Sequence, residues 1–430
     1  MKKYDKCKDS GVAWIGEIPE DWTETKGKYC FDITTGRLDA NAEEIDGIYP
    51  FFTCSNRIKK INTYAFDCEA LLIAGNGDVG YTQYYNGKFN AYQRTYVLRN
   101  FSMDIYPIYV KYYFLGLFKQ SIKTKFVGSV IDFIKVGDLQ NFKICFPRLD
   151  RQRDIAHFLD NKLEVIDKII DDKNDLIIKL KEYCQTIINE TVTKGLDKKA
   201  LMKDSGIDWI GEIPEGWNIK KFKYLFTFNR GLNITKADLI EVGIPCVNYG
   251  EIHSKFGFEI NPEFNILKFV DKNYIESFPT ALLRRGDFIF ADTSEDIEGS
   301  GNFTCLNSDI PTFAGYHTIV TRQKENHSYR YLSYLFESIK YRNQIRCSVY
   351  GVKLFSITQN ILKNTLVLLP SKKEQEQISC FLDKKRNEIN STVNSIEQQI
   401  TKLQEYKKSI ISEAVTGKIK IEKYINEGVI

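Results

Sequence analysis

Apolar residues follow a seven-residue repeat in two long segments of this chain. Within residues 378–416 an apolar side chain recurs every seven positions, and others fall four residues after members of that series, as at the a and d positions of a coiled coil. Residues 155–194 carry a similar pattern, and neither segment contains proline or glycine. We therefore predict two long helices. Their predicted seam consists of Leu159, Leu163, Ile166, Ile170, Ile177, Leu180, Ile187, Leu382, Ile389, Val393, Ile396, Ile400, Leu403 and Ile410.

The length of these segments determines what they need as a partner. Each predicted helix has about 35–40 residues, or about 50–60 Å at a rise of about 1.5 Å per residue. A helix of that length with one narrow apolar stripe is poorly stable alone. Pairing within the chain is favoured over pairing between two chains, because matched seams in one chain have a higher effective concentration. If an internal pseudo-twofold axis relates the two halves, the helices pair antiparallel and the globular stretches lie at opposite ends of a rod.

Two sequence repeats indicate that the chain consists of homologous halves. Residues 8–22, the opening motif, return as residues 203–217 at a shift of 195, with three of fifteen positions changed. Residues 155–193 align with residues 378–416 at a shift of 223. Internal repetition of this kind decides the architecture. The stretch between the two repeats is 28 residues longer in the second half and has a different sequence.

The stretches between the repeats have the pattern of small mixed α/β domains. Residues 70–74 and 95–99 are rich in β-forming side chains, and residues 107–120 are typical of a short aromatic helix. The second stretch gives comparable signals for strands at 287–291 and 317–321 and for a helix at 329–338.

These patterns together predict an α+β fold. Two homologous mixed α/β domains are separated by two long helices that pair as an antiparallel coiled coil with internal pseudo-twofold symmetry. The predicted boundaries are 1–150 for the first domain, 151–197 for the central helix, 198–370 for the second domain, 371–417 for the C-terminal helix and 418–430 for a tail.

One glycine-rich segment matches a nucleotide-binding pattern. Residues 75–80 read G-x-G-x-x-G after a predicted strand, but the dinucleotide fingerprint needs a helix to begin immediately afterwards. Residues 81–88 are instead a run of β-formers that ends in Asn86-Gly87, which is typical of a hairpin. We predict that the glycines shape a tight loop, and a nucleotide-dependent enzyme remains an alternative.

Composition and motif content argue against several other classes of protein. The ten cysteines form no C-x-x-C pair, and no apolar run approaches the length of a membrane span, so we expect reduced thiols, a cytoplasmic location and no membrane contact. A net charge of +4 permits nucleic-acid binding but does not indicate it. The P-loop, H-E-x-x-H and G-x-S-x-G patterns are absent, and the four histidines lack metal-ligand spacing. We expect no catalytic residues and no metal site on this chain.

The repeated segments resemble those of a known family. The opening motif reads K-D-S-G-x-x-W-I-G-E-I-P-x-x-W in both copies, and residues 147–156 and 369–378 lead from a proline into the long helices. This arrangement is similar to the specificity subunit of type I restriction-modification enzymes, over nearly the whole chain.

The resemblance implies a function divided among several proteins. Each globular stretch would be a target recognition domain that reads one half of a split, asymmetric double-stranded DNA sequence, and the helices would fix the unread gap. Two methyltransferase subunits would bind this frame, and two ATP-dependent translocase-nuclease (restriction) subunits would join for cleavage. S-adenosylmethionine would belong to the first pair, and ATP with magnesium to the second. No cofactor is expected on this chain.

Candidate DNA contacts are chosen by side-chain type. Arg, Lys, Asn and Gln read base edges, while Lys, Arg, Ser, Thr and Tyr bind phosphates. In the first domain we predict Asn76, Gln83, Tyr84, Asn90, Gln93 and Arg94, with a basic strip of Lys123, Lys125, Ser129 and Lys135. In the second domain we predict Asn248, Tyr249, Thr293, Ser294, Asn302, Tyr316 and His317, with Arg346, Ser348, Tyr350 and Lys353 equivalent to that strip. The four tryptophans, Trp14, Trp22, Trp209 and Trp217, are predicted to be packing anchors at the base of the helices.

A scaffold protein is the main alternative. Its coiled coil would bind protein partners, and its globular ends would bind protein or glycan. Salt-dependent DNA binding separates the two interpretations, because counterion release makes the logarithm of DNA affinity fall steeply with the logarithm of salt concentration.

Overall fold

A computed structural model of the chain describes residues 4–123, 133–207, 210–351 and 354–422. The described residues divide into two compact units, one within the ranges 1–174 and 396–430 and the other within 175–395. Each unit joins a mixed α/β domain to a segment of both long helices. The predicted α+β class, with two mixed domains and two long helices, is confirmed.

The first unit is built on a six-stranded sheet. Its strands are β1 (Cys7–Asp9), β2 (Glu17–Pro19), β3 (Thr23–Lys26), β4 (Asp32–Thr35), β5 (Tyr49–Phe52), β6 (Lys59–Ile61), β7 (Phe66–Ala74), β8 (Thr82–Ala91), β9 (Thr95–Arg99) and β10 (Lys143–Phe146). The helices are α1 (Pro107–Tyr113), which continues through a π-helical turn (Phe114–Phe118) into α2 (Lys119–Ile122), then α3 (Val136–Gln140) and α4 (Leu149–Lys194). The sheet has the order β4-β9-β7-β8-β5-β6, and β3 and β10 form a separate antiparallel pair next to the start of α4.

The second unit has more strands than the first, and its two largest sheets have five and four strands. Its strands are β11 (Met202–Asp204), β12 (Glu212–Pro214), β13 (Asn218–Lys221), β14 (Phe226–Arg230), β15 (Ile244–Val247), β16 (Phe258–Ile260), β17 (Lys268–Val270), β18 (Leu282–Leu283), β19 (Phe288–Ala291), β20 (Thr293–Ser294), β21 (Phe303–Leu306), β22 (Thr312–Ala314), β23 (Thr318–Gln323), β24 (Phe355–Ser356) and β25 (Leu366–Leu369). Its helices are α5 (Phe222–Leu225), α6 (Tyr249–Ser254), α7 (Tyr274–Ser277), α8 (Tyr329–Glu337), α9 (Ile339–Arg346), α10 (Gln359–Asn364) and α11 (Lys372–Val415). The segments between β15 and β19, which contain α6, β16, α7 and β18, hold most of the extra length of this half.

One predicted turn is wrong. Asn86 and Gly87 do not close a hairpin but lie inside β8, where they pair with Glu69 and Cys68 of β7. The turn of this hairpin is the glycine-rich segment itself, residues 75–81, which joins β7 to β8. An Asn-Gly pair favours a tight turn only where the adjacent strand leaves it unpaired, and here β7 provides a partner for both residues of the pair.

The two long helices are longer than the sequence pattern predicts. Helix α4 has 46 residues and α11 has 44, because each begins in a polar first turn that precedes the apolar series. In the first unit, the carboxylate of Asp167 on α4 lies 2.5 Å from the Lys407 ammonium on α11, and Lys173 Nζ donates to Gln399 Oε1 at 2.7 Å. Residue numbers rise along one helix as they fall along the other, so these segments run antiparallel.

The predicted seam residues all lie on the inner side of the helices. Each of the fourteen is buried or half-buried. Three basic residues, Lys173, Arg386 and Lys407, interrupt the seven-residue series, and each has a partner of its own. Besides the bonds of Lys173 and Lys407, Arg386 binds both carboxylate oxygens of Glu337 at 2.7 and 3.1 Å. The Arg386 guanidinium also lies 4.0 Å from the centre of the Phe258 ring. Arg386 therefore connects α11 to the globular part of the second unit.

A buried glutamine fastens each domain to the start of its helix. The Gln152 amide donates to the carbonyl of Pro147 at 2.9 Å and accepts from the Tyr106 N–H at 2.8 Å. Gln375 makes the equivalent pair of bonds, to the proline before α11 at 3.0 Å and from the Ser328 N–H at 2.9 Å. Both side chains are fully or almost fully buried, so no water can replace these bonds.

A second contact repeats about two helical turns later, eight residues after each glutamine. The Tyr112 hydroxyl donates to the Asp160 carboxylate in the first unit, and the Tyr334 hydroxyl donates to Asp383 at 2.6 Å in the second. In both units burial, and then the hydrogen bond to the carboxylate, raise the pKa of the tyrosine. These tyrosines therefore remain protonated donors at neutral pH, and each domain is fastened to its helix at two points.

Replacement of either glutamine by alanine is expected to destabilise the protein by about 2–4 kcal/mol, because a buried N–H and a buried carbonyl lose their partners. Urea denaturation of Gln375→Ala, together with hydrogen exchange of the Ser328 amide, measures the global and the local effect. Gln398→Ala, an exposed glutamine on the same helix, is the matched control and should change stability by less than about 0.5 kcal/mol. Equal stability of the two variants would contradict the assigned role.

Candidate nucleic-acid interface

Four backbone hydrogen bonds bring separate loops of the first unit together at one end of its sheet. They run from the N–H of Gly36 to the carbonyl of Thr95 (3.4 Å), from Tyr92 to Phe52 (2.9 Å), from Gly75 to Arg94 (3.0 Å) and from Ile134 to Gly75 (3.0 Å). We call the exposed surface of residues 36–38, 75–76, 92–95 and 133–135 the first loop face. It is formed by side chains on several loops, held by a frame of main-chain bonds.

The second unit contains the same four bonds. They run from Gly231 to Thr318 (3.1 Å), from Gly315 to Val247 (2.7 Å), from Asp292 to His317 (3.0 Å) and from Ile357 to Asp292 (2.8 Å). The corresponding surface, the second loop face, consists of residues 231–233, 292–293, 315–318 and 356–360. The frame therefore makes Arg94 equivalent to His317, and Asn76 equivalent to Thr293.

Four of the predicted DNA contacts of the first domain lie on or beside the first loop face. Arg94 and Gln93 are exposed, and the Gln93 amide donates to Asp39 at 2.7 Å. Asn76 is half-buried and forms a β-bridge with Phe133, while Gln83 donates to the carbonyl of Ser55 at 3.2 Å. Residues predicted only by type are thus brought together from two separate loops and from the first residues of β8.

The other predicted contacts of this domain have different positions. Asn90 is buried, with its amide oxygen bonded to the N–H of Ala91, so we leave it out of the candidate interface. Tyr84 is half-buried and donates to Glu69 at 2.7 Å. The basic strip includes Lys123 and Lys135, which are exposed after α2 and before α3, whereas Lys125 and Ser129 lie outside the described residues.

An aromatic cluster supports His317 on the second loop face. The Tyr249 ring lies 5.3 Å from the imidazole of His317 and 5.7 Å from the ring of Tyr316, in edge-to-face orientation. The Nδ1 atom of His317 lies 3.1 Å from the Asp292 carboxylate. His317 itself has a φ of +54°, a left-handed conformation that is uncommon for a residue other than glycine. Strained backbone of this kind is frequent at functional sites.

Thr293 and Asn302 belong to a hydrogen-bond chain. The half-buried Arg342 donates to the Asn302 side-chain oxygen at 2.7 Å, so the Asn302 nitrogen must donate to His253 Nδ1 at 2.8 Å. The remaining ring nitrogen of His253 then donates to the carbonyl of Thr293 at 2.8 Å. Because an arginine can only donate, it fixes the direction of every bond in this chain.

The remaining predictions in the second domain separate by burial. Asn248 and Ser294 are buried and bond to Glu251 in α6 and to the N–H of Asp296, respectively, so we leave them out of the interface as well. Ser348 is exposed but bonds back to its own helix, and Tyr350 is 89% exposed. The fourth member of this strip, Arg346, bonds to the carbonyl of Glu298, and Lys353 lies outside the described residues.

Sequence reasoning missed a polar cleft next to His317. The cleft has a volume of about 800 Å³ and is lined by side chains suited to base edges and phosphates, including Arg230, Asn233, Gln359, Asn360 and Lys363. One signal was available, because Gly231 follows the second opening motif at the same distance as Gly36 follows the first. Those two glycines mark where each loop face begins.

The other chemical candidates give the following results. Residues 75–80 join two antiparallel strands, so they lack the helix that a dinucleotide-binding loop requires. Across the described ranges, no cluster of histidine, cysteine, aspartate and glutamate has an arrangement that could hold a metal ion. Within the same ranges, no helix is both long enough and apolar enough to cross a membrane.

The tryptophans pack within their units. Trp22 and Trp217 are each 1% exposed, and the Trp217 ring nitrogen donates to Glu374 on α11 at 3.0 Å. Trp14 stacks on Phe142 with ring centres 5.8 Å apart. Trp209 lies outside the described residues.

Comparison with known proteins gives one family. The sequence model of the type I restriction modification DNA specificity domain matches residues 19–182 and 214–402. The type I restriction enzyme EcoDI specificity subunit of Escherichia coli is 36% identical over 188 residues, which are 43% of this chain and only 40% of that protein. The type I restriction enzyme MjaVIII specificity subunit of Methanocaldococcus jannaschii is 23% identical over 425 residues, or 94% of each protein.

Solved structures have a similar fold. A chain from a type I R-M system, solved to explain its complex assembly and conformational transition, has a TM-score of 0.70 at 15% identity over 94% of this chain and 99% of that chain. The HsdS subunit from Thermoanaerobacter tengcongensis has a TM-score of 0.52 at 14% identity over 94% of this chain and 98% of that one.

Proposed function

The chain belongs to the family of type I restriction-modification DNA specificity subunits, and from this membership we propose that it selects a bipartite, asymmetric DNA target. In such a system it is the specificity component and not the catalytic one. Each unit reads one half-site through its loop face, and the two long helices fix the length of the unread gap.

The observation that carries this proposal is the repeated frame with different side chains. The same four main-chain bonds hold the loop faces of both units. At equivalent positions the first face has Arg94 and Asn76, whereas the second has His317 and Thr293. Because base edges are distinguished by their donors and acceptors, unlike side chains on one frame suit two unlike half-sites. A target of two unlike halves is asymmetric and not palindromic.

The chemistry on DNA belongs to partner subunits in this proposal. Two methyltransferase subunits bind the chain, and they flip the target base out of the duplex to reach it. Two ATP-dependent translocase-nuclease subunits join the complex for cleavage. S-adenosylmethionine binds to the methyltransferases, and ATP with magnesium binds to the nuclease subunits. The complex acts in the cytoplasm, on double-stranded DNA.

A genome-wide map of methylated adenines tests the proposed function. In cells that express this chain with its cognate methyltransferase subunit, we expect methylation at one split motif with two unlike halves and a fixed gap. Cells that express the methyltransferase alone are the control and should lack the motif. Absence of new methylation, with the methyltransferase bound to the chain and active, would instead favour a scaffold that binds protein or glycan.

A further inference from the structure

We propose that Arg94 and His317 each read one base of the half-site that their unit recognises. This inference rests on the proposed function and extends it to individual side chains. It assigns to Arg94 a guanine, and to His317 a base that presents an exocyclic amino group, which is adenine or cytosine.

The two residues occupy the same place in the repeated frame. In each unit the carbonyl of the residue accepts a bond from the strand-end N–H of Gly75 or Asp292, at 3.0 Å in both cases. The next residue is a buried threonine, which begins the following strand. The backbone is therefore fixed on the C-terminal side of Arg94 and His317, while their side chains are exposed. A fixed backbone with an exposed, polar side chain is what direct base readout requires.

The chemistry of Arg94 suits guanine. Its guanidinium forms no hydrogen bond or ion pair with any residue that the structure describes, so its donors are available to a ligand. A guanidinium donates two parallel bonds to O6 and N7 of guanine in the major groove, and no other base offers two acceptors in that arrangement. Asn76 and Gln93 border the same face and can contact the adjacent bases or the backbone.

The chemistry of His317 suits an amino group. Its Nδ1 lies 3.1 Å from Asp292 Oδ1, and a carboxylate accepts, so Nδ1 carries the hydrogen. In the neutral imidazole this leaves the lone pair on Nε2, which accepts from N6 of adenine or N4 of cytosine. The left-handed backbone of His317 and the Tyr249 ring 5.3 Å away hold the imidazole in this orientation.

Phosphate binding is the competing role for both residues. Replacement of a residue that binds phosphate weakens DNA affinity about equally for all sequences and lowers the salt dependence by about one counterion. Replacement of a residue that reads a base relaxes the base preference at one position of the target and leaves the other positions unchanged. Methylation mapping in cells separates these outcomes, because it reports every position of both half-sites in one experiment.

The variants are designed to fold. Arg94→Lys keeps the positive charge but removes the bidentate donors, and Arg94→Ala removes both. His317→Gly is suited to a φ of +54° and removes only the side chain. Arg148→Ala and His157→Ala, exposed residues outside the loop faces, are the matched controls and should leave both half-sites unchanged.

We expect Arg94→Lys and Arg94→Ala to relax one guanine of one half-site by about 10-fold or more. We expect His317→Gly to relax one adenine or cytosine of the other half-site to a similar extent. Unchanged base preferences in both variants, with a split motif for the parent chain, would overturn the inference alone. If Arg94→Ala lost methylation, and Arg94→Lys kept it with no relaxed base position, Arg94 would be assigned to phosphate binding. A parent chain without any split motif would overturn the proposed function itself.

Discussion

Insertion of four residues after Ile177 in α4 and after Ile400 in α11 is expected to lengthen the unread gap of the target by about two base pairs. Four residues add about 6 Å of helix, and base pairs are spaced by about 3.4 Å. Ile177 and Ile400 correspond to each other at the shift of 223 that relates the helix repeats. Four residues are also close to one helical turn, so the apolar seam stays on the same side of each helix. Methylation mapping of the variant reads the new gap directly.

The half-sites are the internal control of this experiment. They should be unchanged, because no residue of either loop face is altered. Insertion into α4 alone is the matched variant: it shifts one seam against the other and should lower the stability of the protein without defining a new gap. A change in the half-site bases of the double insertion would show that gap and base recognition are not separable, which contradicts the proposed function.

The parts of the fold that could be predicted from the sequence are those fixed by side-chain pattern. The seven-residue series identified both long helices and a seam whose members are all buried or half-buried. The series was less accurate near the end of α4. There the predicted seam residue Ile187 is only half-buried, whereas Ile188 and Val192, which are not in the predicted seam, are 2% and 0% exposed. A strict heptad drifts by about 20° per repeat relative to a straight helix. The globular domain also packs on the helix there, and covers residues beyond the seam.

The loop faces could not be predicted, because backbone bonds create them. The segments between the repeats differ in sequence, yet both form the same four N–H to carbonyl bonds. Such bonds constrain backbone geometry and leave most side chains free to vary. Only where the chain approaches itself too closely for a side chain does the frame limit residue type, as it does at Gly36 and Gly231.

Residue type alone also failed to distinguish candidate DNA contacts from residues with a structural role. Asn76, Asn90 and Asn248 have identical side chains, but only Asn76 lies on a loop face, while Asn90 in β8 and Asn248 after β15 are buried. Sequence position could not show this, because burial depends on which strands cover the residue. The Asn86-Gly87 pair gives the same lesson, since its partner strand determines that it is extended.

Replacement of either of the framework glycines, Gly36 and Gly231, by alanine is expected to destabilise its unit by about 3 kcal/mol or more, the largest stability effect that we predict. A Cβ atom at Gly36 would lie 1.8 Å from the carbonyl oxygen of Ala91, and one at Gly231 would lie 2.1 Å from that of Gly315. Both neighbours are main-chain atoms within the frame, so the loops would have to separate. Hydrogen exchange should increase in β4 and β9 for Gly36→Ala, and in β14 and β23 for Gly231→Ala.

Two other glycines provide matched controls for this effect. A Cβ atom at Gly137 in α3 or at Gly250 in α6 would have no atom within 4 Å, so alanine there should be neutral or stabilising by up to about 1 kcal/mol. The two framework variants should each disturb base preference in one half-site only, because each frame holds one loop face. If Gly36→Ala and Gly231→Ala were as stable as the controls, the four shared bonds would not be what holds the loop faces. If either variant altered both half-sites, the assignment of one half-site to each unit would fail.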